Sequence, residues 1–171
     1  MLEVLKFYDI DPGYCDYLRK IEPKVPVITY EHNNKFVCGI VLKIGSIPYY
    51  TPISSNVTQQ RTCTQILDKH GNALSSIKFC FMIPAPLSVV TEKDFSDIDA
   101  IDRPYANLVR MEYDYCLRNE STIREKAGRV YRVGCNKQHF LNSNCCDFAL
   151  LETAYNEYVE TEPKIAADKL R

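Results

Sequence analysis

The sequence predicts an α+β protein built on a mostly antiparallel sheet. Short β-branched and aromatic runs, separated by turn residues, fill the first half of the chain; amphipathic stripes at helical spacing fill the second. Gly45-Ser46 joins two of the strand-like runs directly into a hairpin. No repeat, linker or low-complexity segment divides the 171 residues, which suffice for a single domain with a sizeable core.

The elements follow in order. Val4 to Asp9 reads as a first strand. Asp11-Pro12 is an N-cap followed by proline at the first helical position, and Tyr14, Leu18 and Ile21 keep helical spacing, so a helix runs from Pro12 to about Lys20. Pro23 and Pro26 end it, and ITYEHNN is a polar loop. Lys35 opens the strand KFVCGIVLKI, and IPYYTPI returns as its partner. Thr62 to Leu67 is another strand, DKHGN a turn, and LSSIKFCFMI the strand after it, stopped by the prolines of MIPAP. Pro104 opens a helix to about Leu117, with Ala106, Val109, Tyr113 and Cys116/Leu117 on one face. Thr122 and Glu125 have the capping-box spacing and predict a helix to about Val133. Phe148, Leu151, Tyr155 and Tyr158 are the stripe of a last helix, and the final dozen residues read as loosely held.

Composition excludes several classes. With 46% apolar and 25% charged residues the chain is neither disordered nor a small disulfide scaffold. No apolar run approaches the roughly 20 residues of a membrane helix. The opening MLEVLKFYDIDP has acidic residues and no apolar signal core, which predicts a cytoplasmic protein. The eight cysteines are irregularly spaced without a C-x-x-C, and several lie in apolar runs such as VCGIV and FCFMI, so they read as buried free thiols. His32, His70 and His139 stand apart from any paired ligands, so no metal site is expected. Net charge is −1, but unevenly spread. Arg118, Arg124, Lys126, Arg129, Arg132 and Lys137 face only Glu120 and Glu125 between residues 118 and 139, after an acidic run from Glu92 to Asp102. That basic segment is either a phosphate-binding face or a solvated helix surface.

The stretch YYTPISSN ends a strand on adjacent hydroxyls, Ser54 and Ser55. Serine is common where a strand exits into a loop, because it bonds local backbone. The alternative is a pair of donors aimed at a substrate.

Several segments together resemble one family. KFYDIDPGYCDYLRKIEPKVP, KFVCGIVLKI, YYTPISS, FMIP and CDFALLETAYNEY are similar, in that order, to signatures of the ToxN/AbiQ toxins of type III toxin–antitoxin systems. The resemblance implies a strongly twisted antiparallel sheet, barrel-like as in the MazF/Kid toxins, surrounded by helices. It implies a metal-independent endoribonuclease without cofactor. Such an enzyme leaves 2′,3′-cyclic phosphate and 5′-hydroxyl ends and processes a tandem-repeat RNA precursor. The resulting structured antitoxin RNA, a pseudoknot, then inhibits it in a closed protein–RNA assembly; growth arrest and phage abortive infection are the outcome. Ser54 and Ser55 match the family's Ser/Thr-Ser pair, Lys35 its lysine before the Gly-Ile-Val-Leu strand, and Tyr30 its loop tyrosine after a one-residue shift. Arg124, Arg129 and Arg132, with Arg118 at the entry, would follow an RNA backbone. The chain departs from the pattern at Val57, where the family usually has lysine. Arg61 from downstream, Lys35 alone, or another basic residue would have to substitute, and His32 is the nearby group that titrates near neutrality. Two other readings remain: a catalytically inactive RNA-binding relative, and a MazF-like type II toxin with a protein antitoxin.

Overall fold

The computed structural model describes residues 3–30 and 33–168; His32 and residues 169–171 lie outside the described residues. The chain opens with β1 (Lys6–Ile10) and α1 (Pro12–Ile21), then the hairpin β2 (Val37–Ile44) and β3 (Ile47–Ser54), then β4 (Cys63–Leu67) and β5 (Ala73–Lys78). Two short strands, β6 (Ile83–Pro84) and β7 (Val90–Glu92), lead to α2 (Phe95–Ile101), α3 (Arg103–Arg118), α4 (Glu120–Cys135) and α5 (Phe148–Asp168). The seven strands order as β4-β5-β3-β2-β1-β7, with β6 also on β3, and every pairing is antiparallel. The sheet is open, with β4 and β7 at its edges, rather than closed into a barrel.

Local chemistry explains the elements that matter for the site. Asp11 caps α1 by accepting from Tyr14 N at 2.9 Å, with Pro12 in the first turn. The hairpin turns at Gly45, whose φ of +60° suits glycine, and closes on the pair Ile44–Ile47. β3 is the central strand. Its first part pairs with β2 on one side and β6 on the other, and its last residues, Ile53 and Ser54, pair with Ile77 and Ser76 of β5.

Behind β3 the helices seal the core. Tyr49 and Phe148 are fully buried, and their rings meet edge-on at 5.9 Å. Tyr131 of α4 stacks on Phe148 at 5.5 Å. Tyr49 and Tyr131 both donate to Glu152 Oε1, at 2.8 and 2.7 Å. Gly134 lets α4 come this close, because a Cβ there would stand 2.3 Å from the Phe148 ring.

Three expectations need correction, and one helix was missed. The strand expected from Leu74 to Ile83 breaks after Lys78 into a 3-10 turn, Phe79–Phe81. Burial runs on unbroken from β5 through Phe79 and Cys80, so an apolar run without alternation does not reveal where the strand stops. Thr122 is not a cap: α4 starts at Glu120 behind Asn119, whose side chain donates to Tyr115 O and ties the helix to the end of α3. α2 was hidden in the acidic run, where Asp94 caps it by accepting from Ser96 N at 2.8 Å. Helix α5 continues to Asp168, through most of the segment expected to be loose. The thiols are free, and all but Cys135 are buried.

Candidate nuclease site and basic cleft

Register brings the sequence-predicted residues together. Val37 pairs with Pro52, and Ile53 N donates to Phe36 O at 3.2 Å, so the ladder runs on past the end of β2. Lys35 lies two residues before Val37, and Ser54 two residues after its partner Pro52, so both emerge at this end of the ladder. The preceding loop is pinned by Lys35 N donating to Ile28 O at 2.8 Å and by Tyr30 N donating to Asn34 Oδ1 at 3.1 Å. Ser54 is held in the ladder opposite Ser76 and is 8% exposed, whereas Ser55 is exposed. Ser54 Oγ accepts from Asn56 N at 3.3 Å, the local bond expected of a strand exit.

Ser54, Ser55, Lys35 and Tyr30 all line one cavity of about 710 Å³. The Lys35 ammonium sits 5.2 Å from the Tyr30 ring centroid. The opposite wall was not foreseen. It comes from α3, where Tyr105, Leu108 and Glu112 lie on one helical face and reach the same cavity. Glu112 is 4% exposed, and burial raises its carboxyl above the ordinary range. The Tyr105 hydroxyl is pushed up to about 12 by burial, with the Glu112 charge adding to it. Lys35 is the one cation among the described residues that line this cavity.

The cations expected along the helix divide. Arg124 is a structural tie: its guanidinium donates to the carbonyls of Ile40 and Glu3 and pairs with Glu120 at 2.6 Å, leaving the side chain 16% exposed. Arg61 does not reach the serine cavity. It lines a second cleft of about 450 Å³ with Lys126, Arg129, His139 and Phe140. There its guanidinium lies 5.7 Å from the centroid of Phe140, a ring 69% exposed and stacked on His139 at 4.8 Å. Lys126 donates to Cys63 O, and burial lowers its pKa. Arg118 and Arg132 are exposed in the last turns of α3 and α4, outside either cavity. Val57, which stands where the family usually has lysine, is 38% exposed. Lys78 of β5 reaches that loop, donating to Thr58 Oγ1 and anchoring the chain just past the serines. Among the described residues no three His, Cys, Asp or Glu side chains gather as a metal site.

A family profile described as the toxin ToxN of type III toxin–antitoxin systems matches residues 6–156. The chain belongs to the ToxN toxin family. It is 29% identical to the endoribonuclease ToxN of Bacillus thuringiensis subsp. kurstaki, over 97% of this chain and 90% of that protein. It is 27% identical to the endoribonuclease AbiQ of Lactococcus lactis subsp. lactis, over 90% of this chain and 89% of that one. A solved ToxN-family structure, from work on a type III toxin inhibited selectively by a non-coding RNA pseudoknot, superposes with a TM-score of 0.86 at 28% identity, over 92% of this chain and 99% of that one. The structure of AbiQ, described as a lactococcal anti-phage endoribonuclease, gives 0.83 at 27% identity over the same shares. Membership in a type III family sets aside the type II reading with a protein antitoxin. No helix among the described residues is long and apolar enough to cross a membrane.

Proposed function

We propose that this ToxN-family toxin is a cytoplasmic endoribonuclease whose scissile phosphate sits at the mouth of the cavity holding Ser54, Ser55 and Lys35. The observation that carries the reading is that the serine pair and Lys35, the one cation among the described lining residues, share a single cavity at the end of the β2–β3 ladder. The ribose 2′-oxygen forms a bond to phosphorus as it loses its proton. The P–O5′ bond breaks and the 5′-oxygen takes up a proton, leaving a 2′,3′-cyclic phosphate and a 5′-hydroxyl. Ser55, exposed, donates to a phosphoryl oxygen, Ser54 holds the strand end, and Lys35 offsets the charge of the phosphorane. Tyr30 bounds the site as a stacking face or hydroxyl donor. Among the described residues the lining presents hydroxyls, a lysine and a single carboxylate rather than the convergent carboxylates that two-metal nucleases use. Cleavage of a tandem-repeat precursor should therefore continue in excess chelator, with mapped ends of the cyclic and hydroxyl type. Loss of cleavage in EDTA that a divalent ion restores would refute this chemistry.

The partner in this reading is the toxin's own processed repeat RNA, which binds back and closes an inhibited protein–RNA assembly, and its release arrests growth during phage infection. The relative described as inhibited by an RNA pseudoknot supports this. The basic cleft fits single-stranded RNA: Arg61, Lys126 and Arg129 meet phosphates, and exposed Phe140 offers a face to an unstacked base. Arg118 and Arg132 extend the path, whereas Arg124 belongs to the scaffold. Replacing Arg61 and Arg129 by alanine should weaken binding of the repeat RNA and flatten its salt dependence by about 0.7 to 0.9 log–log units for each phosphate no longer neutralised. Titrations at several salt concentrations check this, and an unchanged slope would leave the cleft a solvated surface.

A further inference from the structure

Glu112 is an anomaly on α3. It occupies a core-facing position of the stripe Ala106, Val109, Cys116, yet it carries a carboxylate into a nearly closed setting. No hydrogen bond to it forms among the described residues. The neighbouring Ser75 hydroxyl favours the ionised form, but its oxygen is itself buried without a hydrogen-bond partner. A buried acid kept for structure is normally surrounded by donors, and one with a single hydroxyl beside it calls for another explanation. Glu112 instead lines the cavity that holds the serine pair.

We infer that Glu112 is a specificity-determining residue: it receives, at the floor of that cavity, the amine-bearing edge of one unstacked nucleobase of the RNA substrate. This rests on the RNA-cutting reading above and names what the site selects. The charge layout orients a nucleotide in one way. Lys35 and the exposed Ser55 attract the phosphate, while the acid repels it and accepts N–H groups. Tyr105, on the same face as Glu112, and Tyr30, 49% exposed across the cavity, offer rings to the flat faces of the base. Adenine and cytosine present an exocyclic amine, and guanine an amine beside a ring N–H. Uracil flanks its lone N–H with two carbonyl oxygens, which a carboxylate repels. The base in this cavity is therefore one with an amine, and uracil is excluded.

The test uses the full-length toxin on short RNAs varied one base at a time around a mapped cleavage position, reading kcat and KM for each. Wild type should reject uracil at one position by about tenfold or more. In Glu112→Gln, whose amide offers donors as well as an acceptor, that rejection should shrink severalfold while the preference at the other positions stays the same. In Glu112→Leu the rejection should vanish, with cleavage of the amine-bearing substrate falling toward that of the uracil one. Thermal melts accompany both variants. The proposal is overturned if wild type shows no uracil rejection, if the Glu112→Gln profile matches wild type, if the variants lose activity equally on every substrate, or if Glu112→Gln no longer folds, which would make the carboxylate structural. A wild type that cuts no RNA brings down the functional reading itself. A wild type that cuts, with an unmoved profile in the variants, brings down only the role of Glu112.

Discussion

Replacing Ser54 and Ser55 together by alanine should slow RNA cleavage by about a hundredfold or more and leave the fold almost as stable as before. The two halves of that expectation rest on different facts. Ser55 is exposed, and loss of an exposed serine hydroxyl usually changes stability by no more than about 0.5 kcal/mol. Ser54 is more enclosed, but its observed hydrogen bond is local: it accepts from Asn56 N, which can turn to water once the hydroxyl is gone. Its place in the sheet comes from main-chain pairing with Ser76, which alanine keeps. The kinetic half follows from placement at a rigid strand end, where a donor aimed at a developing anion acts without reorganising. Ser55→Ala alone should account for most of the loss. Single-turnover cleavage, a thermal melt and repeat-RNA binding measured on the same preparation check the three parts, and the variant should no longer arrest growth. A double variant that still processes the precursor near the wild-type rate would return the serines to an ordinary loop exit, with the chemistry to be sought around Lys35 and Tyr30.

Phe148→Ala should lower the stability of the fold by about 3–5 kcal/mol, the usual cost of emptying a fully buried aromatic site. The ring is shared by three elements: it meets Tyr49 of β3 and stacks on Tyr131 of α4, and the space it fills is shaped by Gly134. Little can collapse into the void, since the two tyrosines are fixed by their common bond to Glu152. Denaturant titration should show a lower midpoint, and a loss below about 1 kcal/mol would mean the site refills. RNA cleavage by the fraction that remains folded should be close to normal, because this cluster lies behind β3 and not at the serine pair.

The hairpin and the serine pair were legible because their signals are local. Gly45 marks the turn and the β-branched runs mark both strands, but the register further out was not legible, because an irregularity between Gly39 and Leu42 shifts the pairing by two residues. The helices α1, α3 and α5 were legible from their apolar spacing and, in two cases, a proline in the first turn. The far wall of the cavity was not, because it depends on which face of α3 meets β4 and β5. One clue was present: a glutamate at a position where the stripe calls for an apolar side chain. Charge counting failed at Arg124 for a related reason. A guanidinium turned inward to backbone carbonyls and paired with Glu120 adds little to an outer field, and sequence does not show which way it turns. Phe140 reads in the sequence as an ordinary loop aromatic; only the fold sets Arg61 and His139 beside it.

The cavity is assembled from two distant stretches of chain, residues 30–56 and the α3 face at 105–112. A ribosome delivers them in that order. A nascent chain that has not yet reached α3 carries Tyr30, Lys35, Ser54 and Ser55 but lacks the wall against which a nucleotide would sit, and the Phe148 support behind β3 is made later still. Products of premature termination therefore hold the proposed site's side chains in an unassembled form. If the proposed site is the working one, the order of the elements along the gene delays activity until nearly the whole polypeptide exists.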